Sequence, residues 1–339
     1  LYLTGIASFL IVMFSFIIPL SVDIDNQIAS NNDSKINNSK TDFEKVLSGE
    51  SIDDKEKVDE GLDLSNILED VFKFDELPED TVRLSASTIE QLFKDTNYSL
   101  SEVRRTKKVK PIRLSLLPNE MKSIENSGKR KNLFIKIILP LVLEENNRII
   151  IDRKKLFTIL NKNKNSKDEI KWLNQKFKQY GVVNKDLATL KVRMDIIPVS
   201  LAIAQAAKET GWGTSRFAIE GNALFGQWTW SGEGIKPAGA DTNATYKVMK
   251  FNVLKASVRA YQRNLNTHSS YKKFRFIRAQ LRDDNKKLDS LKLAEYLDNY
   301  AQTGTEYTKV LKQIIQQNQL KDFDEVKLLP LSVKYKNII

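Results

Sequence analysis

The chain has 339 residues, 54 Lys and Arg against 43 Asp and Glu, a net charge of +11, and 41% hydrophobic side chains. It has no cysteine and one histidine, His268, which excludes thiol catalysis, disulfides, cysteine-bound metals and a multi-histidine zinc site. It also has no glycine-rich phosphate-binding pattern, so nucleotide binding has no motif behind it, and neither a cofactor nor a metal is expected.

Residues 1–20, LYLTGIASFLIVMFSFIIPL, are uncharged and long enough to span a bilayer. A cleaved signal peptide has a shorter apolar region and small residues before the cut, and residues 17–20 lack them. An uncleaved anchor is therefore expected, with secretion as the alternative if the segment is removed. Charge then divides the chain. Residues 21–80 carry 18 acidic and 6 basic side chains, a net of −12, and the remainder carries 48 basic and 25 acidic, a net of +23. Residues 21–61, rich in Asn, Ser, Asp and Lys, read as a disordered tether. Residues 62–131 form an accessory region of unassigned role. It holds two short amphipathic helices, at 64–72 and 87–96, and a basic, extended stretch at 103–117 broken by Pro111.

A main domain is expected over 132–325, with a tail at 326–339. Residues 134–151 are helical in pattern, with Pro140 as a kink or break. Helices are also expected at 170–180 and 257–266, and strand-like sequence only at 224–230 and 245–251. The sum is a mainly α domain with one small β-hairpin. Its centre is PVSLAIAQAAKETGWGTSRFAIEGNALFGQWTW, residues 198–230. Pro198 suits a first helical turn. Ala202, Ala206 and Glu209 share a face, and Gly211 can close the helix in the left-handed conformation. Glu209 then sits in the last turn, where the helix dipole disfavours negative charge and Trp212 reduces solvation. Both effects raise a carboxyl pKa and keep a proton available near neutral pH. A glutamate at a helix end is ordinarily a solvated surface residue; the surrounding residues change that weight. Trp212, Phe217, Phe225, Trp228 and Trp230 offer flat faces for sugar stacking. About half of them are expected to be core instead, Phe225 first, while Trp228 and Trp230 share one strand face and are favoured for a cleft.

The motifs AxxExGWGTS at 206–215 and GNALFG at 221–226 resemble the bacterial glucosaminidase domain, glycoside hydrolase family 73, and most of all its Bax-type branch. The likeness continues in FIKIILPLVLEENNRIIIDR at 134–153, FGQWTW at 225–230, SVRAYQRNLNTHSSY at 257–271 and KLAEYLDNYAQTGTEY at 292–307, so it spans about 133–316. It implies a lysozyme-like fold and hydrolysis of the β-1,4 bond after N-acetylglucosamine in peptidoglycan. Glu209 matches the family's catalytic acid. Asn222, Leu224, Phe225 and Gly226 match its loop motif, and Tyr300 and Tyr307 match its late tyrosines, one of which borders the cleft. Trp212, Ser215, Asn222, Phe225, Gln227, Trp228, Trp230 and Tyr307 are expected along the substrate.

One departure matters. Many members carry a second glutamate in a hairpin after LFG, but the corresponding strand here, ATYKVMKF at 244–251, has no acid. Asp241 and Glu233 are the nearest candidates, with Glu220 on an outer loop. Two completions fit: inversion, with Asp241 or Glu233 activating water, or attack by the substrate's own acetamido group with Tyr300 orienting the intermediate. The rival functions are a muramidase or amidase on the same polymer and a non-catalytic wall-binding protein. The expected partners are peptidoglycan glycan strands and, through residues 1–20, the inner membrane, with the catalytic domain in the periplasm. The basic residues are spread over many helices without nucleic-acid-binding motifs, so nucleic acid is not an expected partner.

Overall fold

The computed structural model describes residues 64–73, 75–77, 81–229, 234–237 and 246–330. The span at 1–20, the tether at 21–61, Trp230, Glu233, Asp241 and tail residues 331–339 lie outside them. Among the described residues the fold is mainly helical, as the periodicity predicts, and no helix is long and apolar enough to cross a membrane.

The helices are α1 (Leu64–Phe72), α2 (Ala86–Asp95), α3 (Leu100–Thr106), α4 (Ser127–Leu160), α5 (Lys167–Gln179), α6 (Leu187–Arg193), α7 (Val199–Thr210), α8 (Arg216–Gly221), α9 (Leu254–Thr267), α10 (Lys272–Asp283), α11 (Ser290–Ala294) and α12 (Thr305–Gln317). Local chemistry sets several of their ends. Ser85, Ser99 and Asp186 accept backbone N–H groups at the starts of α2, α3 and α6, each satisfying a donor the helix cannot. The stretch 103–117, expected to be extended, is helical to Thr106. Lys107 turns left-handed at φ 55°, and only then does strand β1 (Lys108–Val109) begin.

The expected hairpin is a three-stranded antiparallel sheet. Its strands β2 (Trp228–Thr229), β3 (Gly234–Ile235) and β4 (Lys247–Met249) lie in the order β2-β4-β3, with Trp228 opposite Val248 and Gly234 opposite Met249. A second, parallel pair joins β1 to β5 (Lys327–Leu328). Two-residue strands paired across most of the chain leave no local pattern to read.

Pro140 does not break α4, which runs through it. A proline removes its own N–H and leaves the carbonyl four residues earlier without a helical donor. That carbonyl belongs to Lys136, and the buried Tyr98 hydroxyl donates to it at 3.0 Å. Leu139, Leu141 and Val142 on either side are at most 1% exposed. At about 1.5–3 kcal/mol per buried aliphatic side chain, their burial outweighs the roughly 3 kcal/mol a mid-helix proline costs.

The region read as accessory shares the main core. Phe93, Tyr98, Val103, Val109, Leu117 and Met121 lie in one hydrophobic cluster with Phe134, Leu201, Phe225, Tyr261 and Tyr307. Helix α1 packs Val71 among Phe251, Val253, Ala256 and Ala260. Buried ion pairs tie it further. Asp70 accepts from Arg263 at 2.8 Å and from Arg148 at 3.4 Å, and Glu145 lies between Arg148 and Arg259. Burial alone would raise the Glu145 carboxyl, but the two arginines outweigh it and hold it below the ordinary range.

By internal contacts the chain divides into two units. The described part of the smaller is Phe157–Lys171, where Ser166 and Glu169 form a reciprocal capping box. The Ser166 N–H donates to the Glu169 carboxylate at 2.9 Å, and the Glu169 N–H donates to Ser166 Oγ at 3.2 Å. The larger holds the remaining described residues.

Tyr98→Phe should cost about 1–2 kcal/mol, because it leaves the Lys136 carbonyl unpartnered. In a Pro140→Ala background, where the helix supplies that donor, the cost should shrink to a few tenths. Urea unfolding followed by helical circular dichroism measures both.

Candidate active site

The site is built on α7. Every residue of this helix is buried except Lys208 and Glu209, and its alanines let α12 and the 3-10 turn Leu320–Phe323 pack close. Pro198 stands at the N-cap and has no side chain to cap with. Asp324 does the capping from across the fold, accepting from the Ser200 N–H and Ser200 Oγ, both at 2.8 Å. Burial pushes the Asp324 carboxyl up to about 6, although the Ser200 bonds pull it the other way.

The C-terminal end is a run of three left-handed residues, Gly211 (φ 58°), Trp212 (61°) and Gly213 (82°). Thr210 organises it: its hydroxyl accepts from the Gly213 N–H, and its carbonyl accepts from the N–H groups of Thr214 and Ser215. A Cβ on Gly213 would lie 3.0 Å from Phe134 and 3.1 Å from Met121, so space as well as φ requires glycine. Trp212 packs edge-on against Phe134, with the Lys131 ammonium 5.1 Å from its ring centroid.

The loop after α8 is fastened at almost every residue. Asn222 closes α8 at φ 49° and donates through Nδ2 to the carbonyls of Phe251 (2.9 Å) and Asn252 (3.0 Å). The Leu224 N–H donates to Ser257 Oγ at 3.0 Å, and the Phe225 ring stacks on Tyr261 with centroids 3.8 Å apart. The Tyr300 hydroxyl donates to the Phe225 carbonyl at 2.7 Å. Gly226 follows at φ 61°, against the Glu209 carboxylate: a Cβ built there would lie 2.9 Å from Glu209 Oε2. The N-terminal region joins this chain of bonds, because Asp75 Oδ1 accepts from the N–H groups of Asn252 (2.8 Å) and Val253 (3.1 Å).

Glu209 is half-buried. Burial raises its pKa, while the Tyr307 hydroxyl and the Lys208 charge pull it back. Tyrosines ring it. Tyr300 and Tyr307 stack at 5.4 Å, and Tyr271 and Tyr300 meet at 5.9 Å. Burial pushes Tyr271 up to about 12 and Tyr300 and Tyr307 upward as well, and the Glu209 charge adds to all three. Among the described residues, no carboxylate is among the groups that act on Glu209.

Glu209, Phe225, Gly226, Tyr300 and Tyr307 therefore come together. Several expectations change. Asn222, Phe225 and Tyr307 are at most 3% exposed, so they hold the site's frame rather than offer side chains to a ligand; for Phe225 this is the core position expected of it first. Tyr300, expected to orient an intermediate, spends its proton on the Phe225 carbonyl. Ser215 caps α8 through the Ala218 N–H. Trp212 packs edge-on against Phe134, with the Lys131 ammonium over its ring. Gln227 is half-buried and donates to the Ala260 carbonyl. Trp228 is 49% exposed and meets Tyr246 edge-on at 5.3 Å. Glu220 is exposed beside Arg216. Trp230, Glu233 and Asp241 lie outside the described residues. Sequence reasoning missed Gln205 and Tyr271. Gln205 precedes Glu209 by one helical turn, a spacing that could have found it; Tyr271 had no such signal.

Gly226→Ala should destabilise the chain, because its φ of 61° disfavours a side chain and the added Cβ meets Glu209 Oε2 at 2.9 Å. In a Glu209→Ala background the contact with the carboxylate is gone and the cost should fall to the backbone part alone, about 1–2 kcal/mol, as read by denaturant unfolding.

A family model described as mannosyl-glycoprotein endo-beta-N-acetylglucosaminidase, the glucosaminidase domain, matches residues 184–320. That span contains the whole of α7 and the loop through Gly226. Protein bax of Escherichia coli (strain K12) is 34% identical over 214 residues, covering 60% of this chain and 75% of that protein. No solved structure matches. The chain belongs to the family of Bax-type proteins with a glucosaminidase domain.

Proposed function

We propose that this protein hydrolyses the β-1,4 bond after N-acetylglucosamine in peptidoglycan, with Glu209 as the general acid. The observation that carries this reading is a carboxyl group at the end of a buried helix, covered by the Gly226 backbone and ringed by tyrosines, with its pKa raised by burial. Such a group holds its proton where an ordinary glutamate has lost it. Protonating the glycosidic oxygen makes the leaving sugar neutral, which is what cleavage of an acetal needs.

Tyrosine hydroxyls, and no carboxylate among the described residues, interact with Glu209. The acetamido route needs no second carboxylate. The substrate's acetamido oxygen attacks the anomeric carbon as Glu209 protonates the departing oxygen. Water then opens the ring so formed and returns its proton to Glu209. Water activation by Asp241 or Glu233, both outside the described residues, is the alternative completion. The exposed Trp228 and Tyr246 offer faces for the neighbouring sugars. The fold in this reading is lysozyme-like. Peptidoglycan as substrate puts the domain in the cell envelope, the task assigned to the anchor at 1–20 and the tether at 21–61.

The test is the purified full chain, wild type and Glu209→Gln, on purified peptidoglycan, with products reduced and read by mass spectrometry. Wild type should release fragments ending in reduced N-acetylglucosamine, and Glu209→Gln should be slower by about 10²–10⁴-fold. Ends in reduced N-acetylmuramic acid would make it a muramidase, released peptide an amidase, and binding without products a wall-binding protein. The pH profile follows from the acid's role. Activity needs the protonated form, so it should fall as pH rises through a midpoint above the ordinary glutamate value of 4.5. A basic limb at or below 4.5 would remove Glu209 from that role.

A further inference from the structure

Helix α7 carries a second polar side chain on the face of Glu209. Gln205 sits one turn earlier and is fully buried. The Tyr261 hydroxyl donates to Gln205 Oε1 at 2.7 Å, and Gln205 Nε2 donates to the Tyr307 hydroxyl oxygen at 3.1 Å. Each bond has one possible direction, because an amide oxygen only accepts and an amide nitrogen only donates. A phenol has a single proton. With its oxygen engaged by Gln205, Tyr307 has that proton left for Glu209, which lies one turn further along the same helix face and acts on this hydroxyl.

We propose that Gln205 is a positioning residue: held by Tyr261, it fixes the Tyr307 hydroxyl as a donor to the Glu209 carboxyl group. This rests on the reading of Glu209 as the acid. A hydroxyl locked as a donor cannot accept the Glu209 proton, so it gives the protonated acid no partner. The same bond favours the ionised carboxylate over the neutral acid. It offsets part of the effect of burial and lets Glu209 release its proton and later take one back. Without Gln205 the Tyr307 hydroxyl can turn and accept from the protonated acid, so its bond serves both forms and the offset is lost. The other groups acting on Glu209 are Lys208 on its own helix, Tyr271 from the 3-10 turn Ser269–Tyr271, and Tyr300 from the 3-10 turn Asp298–Tyr300. Burial keeps the tyrosines protonated near neutrality, so the titration there is that of Glu209.

The test follows the Glu209 carboxyl carbon by 13C NMR in the full chain labelled at glutamate Cδ, with the signal assigned by its loss in Glu209→Gln. Tyr307→Phe should raise the Glu209 midpoint by about one pH unit, roughly a tenfold change in acidity. Gln205→Met, close in shape, should raise it by a similar amount, and Gln205→Met with Tyr307→Phe should raise it no further than either alone. Tyr261→Phe, which leaves the helix untouched, should move it the same way by freeing the amide to flip, and it decides the matter if Gln205→Met does not fold. An unchanged midpoint in a folded Gln205→Met or Tyr261→Phe chain overturns the proposal, as do additive shifts in the double variant. Cleavage of peptidoglycan by wild type is scored separately. A chain that shows the shifts but cleaves nothing keeps the relay and loses the hydrolase reading, whereas a chain that cleaves without the shifts does the reverse.

Discussion

The backbone of Gly226 lies so close to the Glu209 carboxylate that one methyl group between them would sit 2.9 Å from Oε2. Most of what surrounds the site maintains that approach from one side or the other. On the helix side, Asp324 caps the start of α7 and the left-handed run at Gly211, Trp212 and Gly213 ends it. On the loop side, Asn222 fastens the entry, Phe225 stacks on Tyr261, and Tyr300 takes the Phe225 carbonyl. A carboxyl group held this way loses water, and its proton affinity rises although the Tyr307 hydroxyl and the Lys208 charge pull it back.

Polar groups do much of the fastening, and most of them are buried. Asp195, 3% exposed, accepts from Arg282, and its carbonyl accepts from Asn266 and Arg278. This pins the residues leading into α7. Buried charges of this kind are costly unless paired, so the pairs favour a particular placement of the helix more than they add stability. The N-terminal region takes part too. Asp75 reaches the backbone at Asn252 and Val253, which neighbours the carbonyls bound by Asn222. The described residues of 62–131 are in this sense part of the scaffold on which the loop rests.

Much of this was legible in the sequence, for identifiable reasons. The bounds of α7 follow from Pro198 and Gly211, residues whose backbone constraints act locally. Leu64–Phe72 was readable because its apolar positions repeat at the helical period. Of the kink or break expected at Pro140, the break does not occur, because the donor that partners its turn, Tyr98, is remote in sequence and no local rule reports it. Strands β2 and β4 fall inside the strand-like stretches 224–230 and 245–251, whereas β1 and β5 went unread because each is two residues long and owes its existence to a partner far along the chain. Within the site, the family resemblance suggested contact with a ligand for Asn222, Phe225 and Tyr307, although Phe225 was read first as core. Their burial shows that the same chemistry, an amide, a ring and a hydroxyl, is used to hold the frame.

The most direct test of this account is a crystal structure of the full chain carrying Glu209→Gln with a peptidoglycan tetrasaccharide bound. The account predicts the scissile glycosidic oxygen at about 2.6–3.2 Å from the side chain at position 209, with Gly226 beneath that side chain and a sugar ring against Trp228. A saccharide that leaves position 209 uncontacted, or binds away from the Gly226 loop, would contradict it.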